Sequence, residues 1–169
     1  MIQNYFSVSL STPWKVALPL TDLETVIKLE PTEIAIIPGI AQFWYGVTNY
    51  RGNLLWVLDT EKFLQIDSCE GLTSGVYTPR QVNSLEKLTA VVLTTKVEGI
   101  TKKVAFTVKG LEGVISIKLD SLSVLSTQIK SQFSNSFVSQ FLEKEILFYL
   151  LDVQQLFKEL SQKSELLSA

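Results

Sequence analysis

Few residues in this chain can carry chemistry. It contains 0 histidines and one cysteine, Cys69. Without an imidazole there is no Ser-His-Asp or Cys-His nucleophile, no histidine-ligated zinc, and no phosphoryl relay through a histidine of its own. A lone thiol also excludes a sulfur-rich metal site. The 17 acidic residues are scattered along the chain. None forms a spaced pair among apolar neighbours that would tune an acid against a base. An enzyme using scattered carboxylates is therefore the less economical reading, and it would require a deep pocket with strongly shifted carboxylates. No catalytic residue, metal or cofactor is expected.

The residues that remain suit recognition rather than reaction. Arg51 stands between Tyr50 and Gly52 in the polar stretch 49–53, which reads as a turn between apolar runs. Its guanidinium is either solvated, paired to a nearby carboxylate, or the anchor of a protein interface. Gly46 and Gly52 are most simply needed for a tight backbone. Neither is followed by Lys-Ser or Lys-Thr, and no helix opens at Gly52, so a Walker-type nucleotide loop is excluded. Trp44 and Tyr45 are adjacent and so face opposite ways on a strand, one into the core and the other available as a surface anchor. A second reading would make Trp44, Tyr45, Tyr50 and Arg51 the stacking platform of a small nucleic-acid-binding barrel. The net charge of -2 and a pI near 5.2 count against it, and nucleic acid is not an expected partner.

Many short strands must position these residues. Trp14, Val16, Leu18 and Leu20 alternate with Lys15 and Ala17, with Pro19 confining the segment to an edge or a strand end. Short runs follow at 26–29 and 34–37, the second closed by Pro38 and Gly39, and another at 43–47, where Gly46 marks a close approach of neighbouring backbone. A continuous apolar strand at 54–58 leads through Asp59 into a short helix containing Phe63. Residues 68–85 are rich in Ser, Thr, Gly, Pro and Asn and read as an exposed connection between two halves, with the junction loop near 68–87. Beyond it, 88–95 reads as a buried strand, Val104, Phe106 and Val108 alternate, and Val114, Ile115, Ile117 and Leu119 follow an expected turn at 110–113. Runs at 137–142 and 146–151 can pair across Glu143, Lys144 and Glu145. Val153, Leu156, Phe157 and Leu160 then define one face of a terminal amphipathic helix, with Asp152 as N-cap and Gln155 as its capping-box partner. Both halves thus end on a strand, an Asp and an apolar helix, which suggests two related barrels.

The bounds agree. The 169 residues, 46% of them hydrophobic and 19% charged, with a mean hydropathy of +0.24, suffice for one compact unit or two small barrels sharing a core. No apolar stretch approaches the roughly 20 residues that span a bilayer, and no signal-peptide pattern follows Met1. A cytoplasmic protein without membrane insertion is expected.

The run Ile36, Ile37, Pro38, Gly39, then Phe43, Gly46, Val47, Thr48, Asn49, Tyr50, Arg51, Gly52, then Val57, Leu58, Asp59 and Phe63 resembles the CheW-like coupling family. In that pattern a Pro precedes a hydrophobic strand, a Gly-Val-Asn-Leu-Arg-Gly turn follows, and an apolar strand ends in Asp before a short helix. Looser matches at Val104, Gly110, Val114 and Ile117, and at Leu150, Leu151, Asp152, Leu156 and Phe157, look like the family's second-half hairpin and closing helix. The sequence departs from the pattern at Tyr50 (usually aliphatic), Trp56 (commonly Pro) and Lys109 (usually Asp), and it lacks the glycines that normally precede the last strand near Glu143. The resemblance implies an all-β fold, two SH3-like or OB-like barrels intertwined as one domain over 1–169 around a shared core, with short helices after each half. It also implies a non-catalytic adaptor coupling a chemoreceptor-like or photoreceptor protein to the regulatory domain of a CheA-type histidine kinase, in chemotaxis, phototaxis or twitching motility. Partner contact would then fall on Arg51, Tyr50, Asn49, Gly46, Gly52 and Val26.

Overall fold

β-Branched and aromatic residues dominate the chain's short segments, and two-residue turns set their register. The computed structural model describes residues 1–11, 13–66, 86–125 and 136–166. In chain order the strands are β1 (Ile2–Ser9), β2 (Lys15–Pro19), β3 (Leu23–Leu29), β4 (Trp44–Tyr50), β5 (Asn53–Leu58), β6 (Leu88–Val97), β7 (Ile100–Val108), β8 (Gly110–Lys118), β9 (Phe137–Glu143) and β10 (Ile146–Leu151). Among the described residues two α-helices accompany them, α1 (Thr60–Phe63) and α2 (Val153–Leu166).

The strands form two five-stranded sheets, ordered β8-β1-β2-β10-β9 and β3-β6-β7-β5-β4. Pairing is antiparallel except for one parallel contact in each sheet, β2 with β10 and β5 with β7. Each parallel pair joins a strand from before the 68–85 segment to one from after it, so neither sheet is built from one half alone. The second sheet curls around Leu29, Ile34, Leu55, Val57, Val92 and Ala105. The first curls around Tyr5, Ala17, Ile117, Phe141, Phe148 and Leu150. A third, larger cluster lies between them, with Val8, Val16 and Tyr149 from one sheet meeting Leu58, Leu93 and Phe106 from the other. Both helices close on this shared cluster, α1 through Phe63 and α2 through Val153, Leu156, Phe157 and Leu160. The fold is all-β, two small barrels about a common apolar core with a helix after each half.

The strand, Asp, helix repeat has a geometric counterpart. The Asp59 carboxylate accepts the Lys62 backbone N–H at 3.3 Å, and Asp152 accepts that of Gln155 at 3.1 Å, satisfying N–H groups that the first helical turn leaves open. Each unit follows the strand that makes its sheet's parallel contact. Pro19 ends β2, which is central in its sheet.

Several local expectations differ from the structure. Residues 34–37 form no strand; Ala35 makes only an isolated bridge to Val47. Gly110 and Gly113 lie inside β8, where a bulge opposite Ser7 and Val8 absorbs the irregularity that reads as a turn. The expected second-half hairpin of β7 and β8 is absent because the chain crosses between sheets at Lys109; β7 pairs instead with β6 across Glu98 and Gly99. β5 is apolar without being buried on both faces, since Leu54 is 76% exposed. The connection expected at 68–85 lies outside the described residues.

Candidate interaction surface

The β4–β5 hairpin is the most sharply defined exposed feature among the expected site residues. Register pairs Tyr50 with Asn53, leaving Arg51 and Gly52 as a two-residue loop. Both are left-handed, at φ 51° and 82°. This is the turn whose twist matches that of antiparallel strands, and it favours Gly at the second position. The Gly52 N–H donates to Asn49 Oδ1 at 2.9 Å, bracing the loop from inside. Arg51 is exposed at the tip.

Behind the tip the two edge strands of the second sheet meet through side chains. The Tyr50 hydroxyl on β4 donates to Glu24 Oε2 on β3 at 3.0 Å, and the Lys103 ammonium on the central strand β7 donates to Glu24 Oε1 at 2.8 Å. Tyr50 packs against the barrel's inner cluster, so this triad caps one end of the barrel. The Arg51 guanidinium carbon lies 5.0 Å from the Tyr50 ring centroid and the Lys103 nitrogen 5.7 Å from it, within cation–π range. The Lys103 hydrogen bond holds the Glu24 carboxyl below its ordinary value; desolvation opposes this, and Tyr50 and the charges of Lys103 and Arg51 reinforce it. Burial, followed by the bond to Glu24, raises the Tyr50 phenol. Beside the triad a cleft of about 440 Å³ is lined by Tyr50, Arg51, Asn53, Leu54, Leu55, Thr101 and Lys103. Among the described residues two cations and no carboxylate line it, which suits an acidic group.

The other expected site residues stand elsewhere. Gly46 is buried within β4 rather than in the turn, and a Cβ there would lie 2.2 Å from the Ala35 carbonyl oxygen, so its role is the close approach of two backbones. Val26 is half-buried on the opposite edge strand and packs on the shared core, away from the hairpin tip. Trp44 packs on the shared core and Tyr45 on the barrel interior, separated by a bulge in the β4–β5 register. Neither is a free anchor, and the four residues of the stacking-platform reading do not gather on one face. Sequence reasoning missed Glu24 and Lys103, which are separated by 79 positions. No local pattern signals their pairing; only the barrel's closure brings them together. Among the described residues no group of three or more Cys, Asp or Glu side chains could hold a metal ion. No helix among them is long and apolar enough to cross a membrane.

The sequence profile of the CheW-like domain matches residues 4–161. No curated protein matches the chain. Among solved structures, the scaffolding protein TtCheW from Thermoanaerobacter tengcongensis is similar at a TM-score of 0.65 and 17% identity, covering 90% of this chain and 86% of that one. At that identity the likeness concerns the fold, and it agrees with two curled sheets and a closing helix.

Proposed function

This chain belongs to the CheW-like domain family, and from that premise we propose that it is a non-catalytic cytoplasmic adaptor in chemotaxis-type signalling. It joins a chemoreceptor-like or photoreceptor protein to the regulatory domain of a CheA-type histidine kinase, with residues 1–169 acting as one domain of two intertwined subdomains. The location and the absence of catalysis rest on the family. The observation that carries the reading at residue level is the braced hairpin: Arg51 is held at a rigid, exposed tip beside a cationic cleft of about 440 Å³. A guanidinium on such a base loses little freedom on forking to a carboxylate of a receptor helix. Asn49, Tyr50 and Gly52 shape the tip. The adaptor transmits no group; it contributes binding energy that differs between receptor states, and a few kcal/mol of difference shifts a kinase population substantially.

Arg51→Ala tests the proposal, since alanine keeps the Cβ that the left-handed position already tolerates. Truncating an interface anchor costs about 2 kcal/mol, roughly 30-fold in affinity. The expected outcome is near-wild-type melting, retained kinase binding, and receptor affinity lowered by about that factor in titration calorimetry. Equal loss of both partners with a lowered melting temperature would show that Arg51 merely braces the turn.

A further inference from the structure

A second cleft, of about 490 Å³, lies between the β4–β5 hairpin and helix α2. Trp44 and Trp56 line one side, their ring centroids 5.3 Å apart. Phe157 and Leu160 of α2 line the other. The Trp44 indole N–H donates to Ser164 Oγ on α2 at 3.3 Å. Strand wall and helix wall are therefore tied directly to each other, and the polar atom of that indole is already satisfied. The cleft is preformed and apolar, which is the usual character of a small-ligand site.

Its rim is charged with one sign. Lys102 and Lys103 both line the cleft, and no carboxylate does among the described residues. The Lys103 ammonium is engaged by Glu24, whereas Lys102 has no ion-pair partner among the described residues. Trp56 remains 36% exposed at the same place, leaving aromatic surface to be covered. An apolar body would gain by covering the indoles, and an anionic head would gain by reaching Lys102. We propose that this cleft binds a small amphiphilic anion, an alkyl chain or ring system carrying one carboxylate or sulfonate. The wall-to-wall bond favours a small molecule over a partner's helix, because the walls hold their spacing without a protein insert.

The full chain can be titrated with decanoate and, as the uncharged comparison, decanol, following the three indole N–H signals by NMR. Saturable one-to-one binding of decanoate is expected to shift Trp44 and Trp56 while leaving Trp14, which packs at a tilt against Tyr149 and does not line the cleft, unmoved. Decanol should bind at least about tenfold more weakly. Lys102→Glu should lower decanoate affinity at least about tenfold and leave decanol unchanged. Ser161→Phe, on the exposed rim of α2, should occlude the cleft and abolish both. Lys102→Glu alters an exposed side chain, so it tests the anion half even if the phenylalanine variant misfolds. Unsaturable binding, equal shifts at Trp14, indifference to Lys102→Glu, or indole shifts seen only when a partner protein is added would overturn the proposal.

Discussion

At the scale of residues, one carboxylate holds three strands. Glu24 accepts from Tyr50 on β4 and from Lys103 on β7 while itself belonging to β3. Its folded-state carboxyl lies below the ordinary 4.5, which fixes the sign of its contribution. A depressed carboxyl stabilises the fold fully above the unfolded value and loses that contribution as pH falls through the folded one. Glu24→Gln should therefore melt below wild type at pH 7, with the gap closing as pH drops through and below 4.5. A gap independent of pH, measured by thermal denaturation across that range, would remove the ionic part of the argument. The sequence made Arg51 visible, because turn chemistry is local and readable in Asn49, Arg51 and Gly52. Glu24 and Lys103 were invisible for the opposite reason: long-range closure joins them, and neither sits in a pattern. Trp44 and Tyr45 were half legible. Adjacency placed them on opposite faces, but both faces of this sheet border an apolar cluster.

At the scale of elements, three hairpins share one device and differ in how well their residues suit it. The loops Arg51-Gly52, Glu98-Gly99 and Lys144-Glu145 all place two residues at positive φ. In the first two, glycine occupies the second position without steric cost. In the third, Glu145 holds φ 67° with a full side chain, at the place where glycines are missing relative to the family pattern. A left-handed non-glycine residue costs about 1–2 kcal/mol, partly offset in a glycine variant by the greater freedom of its unfolded chain. Glu145→Gly should therefore stabilise the protein by up to ~1 kcal/mol, seen as a raised denaturant midpoint with unchanged slope. A lowered midpoint would mean that the Glu145 side chain contributes more than its backbone costs. Glycine read by composition alone misleads at Gly110 and Gly113, where two glycines three positions apart signal a turn but sit in a strand. Gly110 lies so near the Ser9 side chain of β1 that a Cβ would meet its Oγ at 2.5 Å, and the bulge falls at Glu112, between Leu111 and Gly113. Periodicity identified α2 because a helical stripe is a property of one segment, whereas the crossing from β7 to β8 depends on which sheet each strand joins.

At the scale of the molecule, the two barrels have private interiors but a common foundation. Each sheet curls over its own small cluster, while the largest cluster takes residues from both sheets and both helices. Because β2 pairs with β10 and β5 with β7, unfolding either sheet also removes chain segments that flank strands of the other. Such a fold should unfold as one unit, and rigidity of this kind lets contact at the hairpin bear on α2 without a hinge. Phe106 is the residue that tests it: it lies on the central strand of the second sheet, is 0% exposed, and belongs to the shared cluster. Phe106→Ala removes a buried ring and should cost about 3–5 kcal/mol. If the molecule is one cooperative unit, native-state hydrogen exchange will show the slowest amides of β1 and β2, in the other sheet, losing protection by the same free energy as those of β6. If the barrels are independent, only the second sheet will lose protection, calorimetry will resolve two transitions, and the shared cluster will have been a contact surface between two units rather than a core.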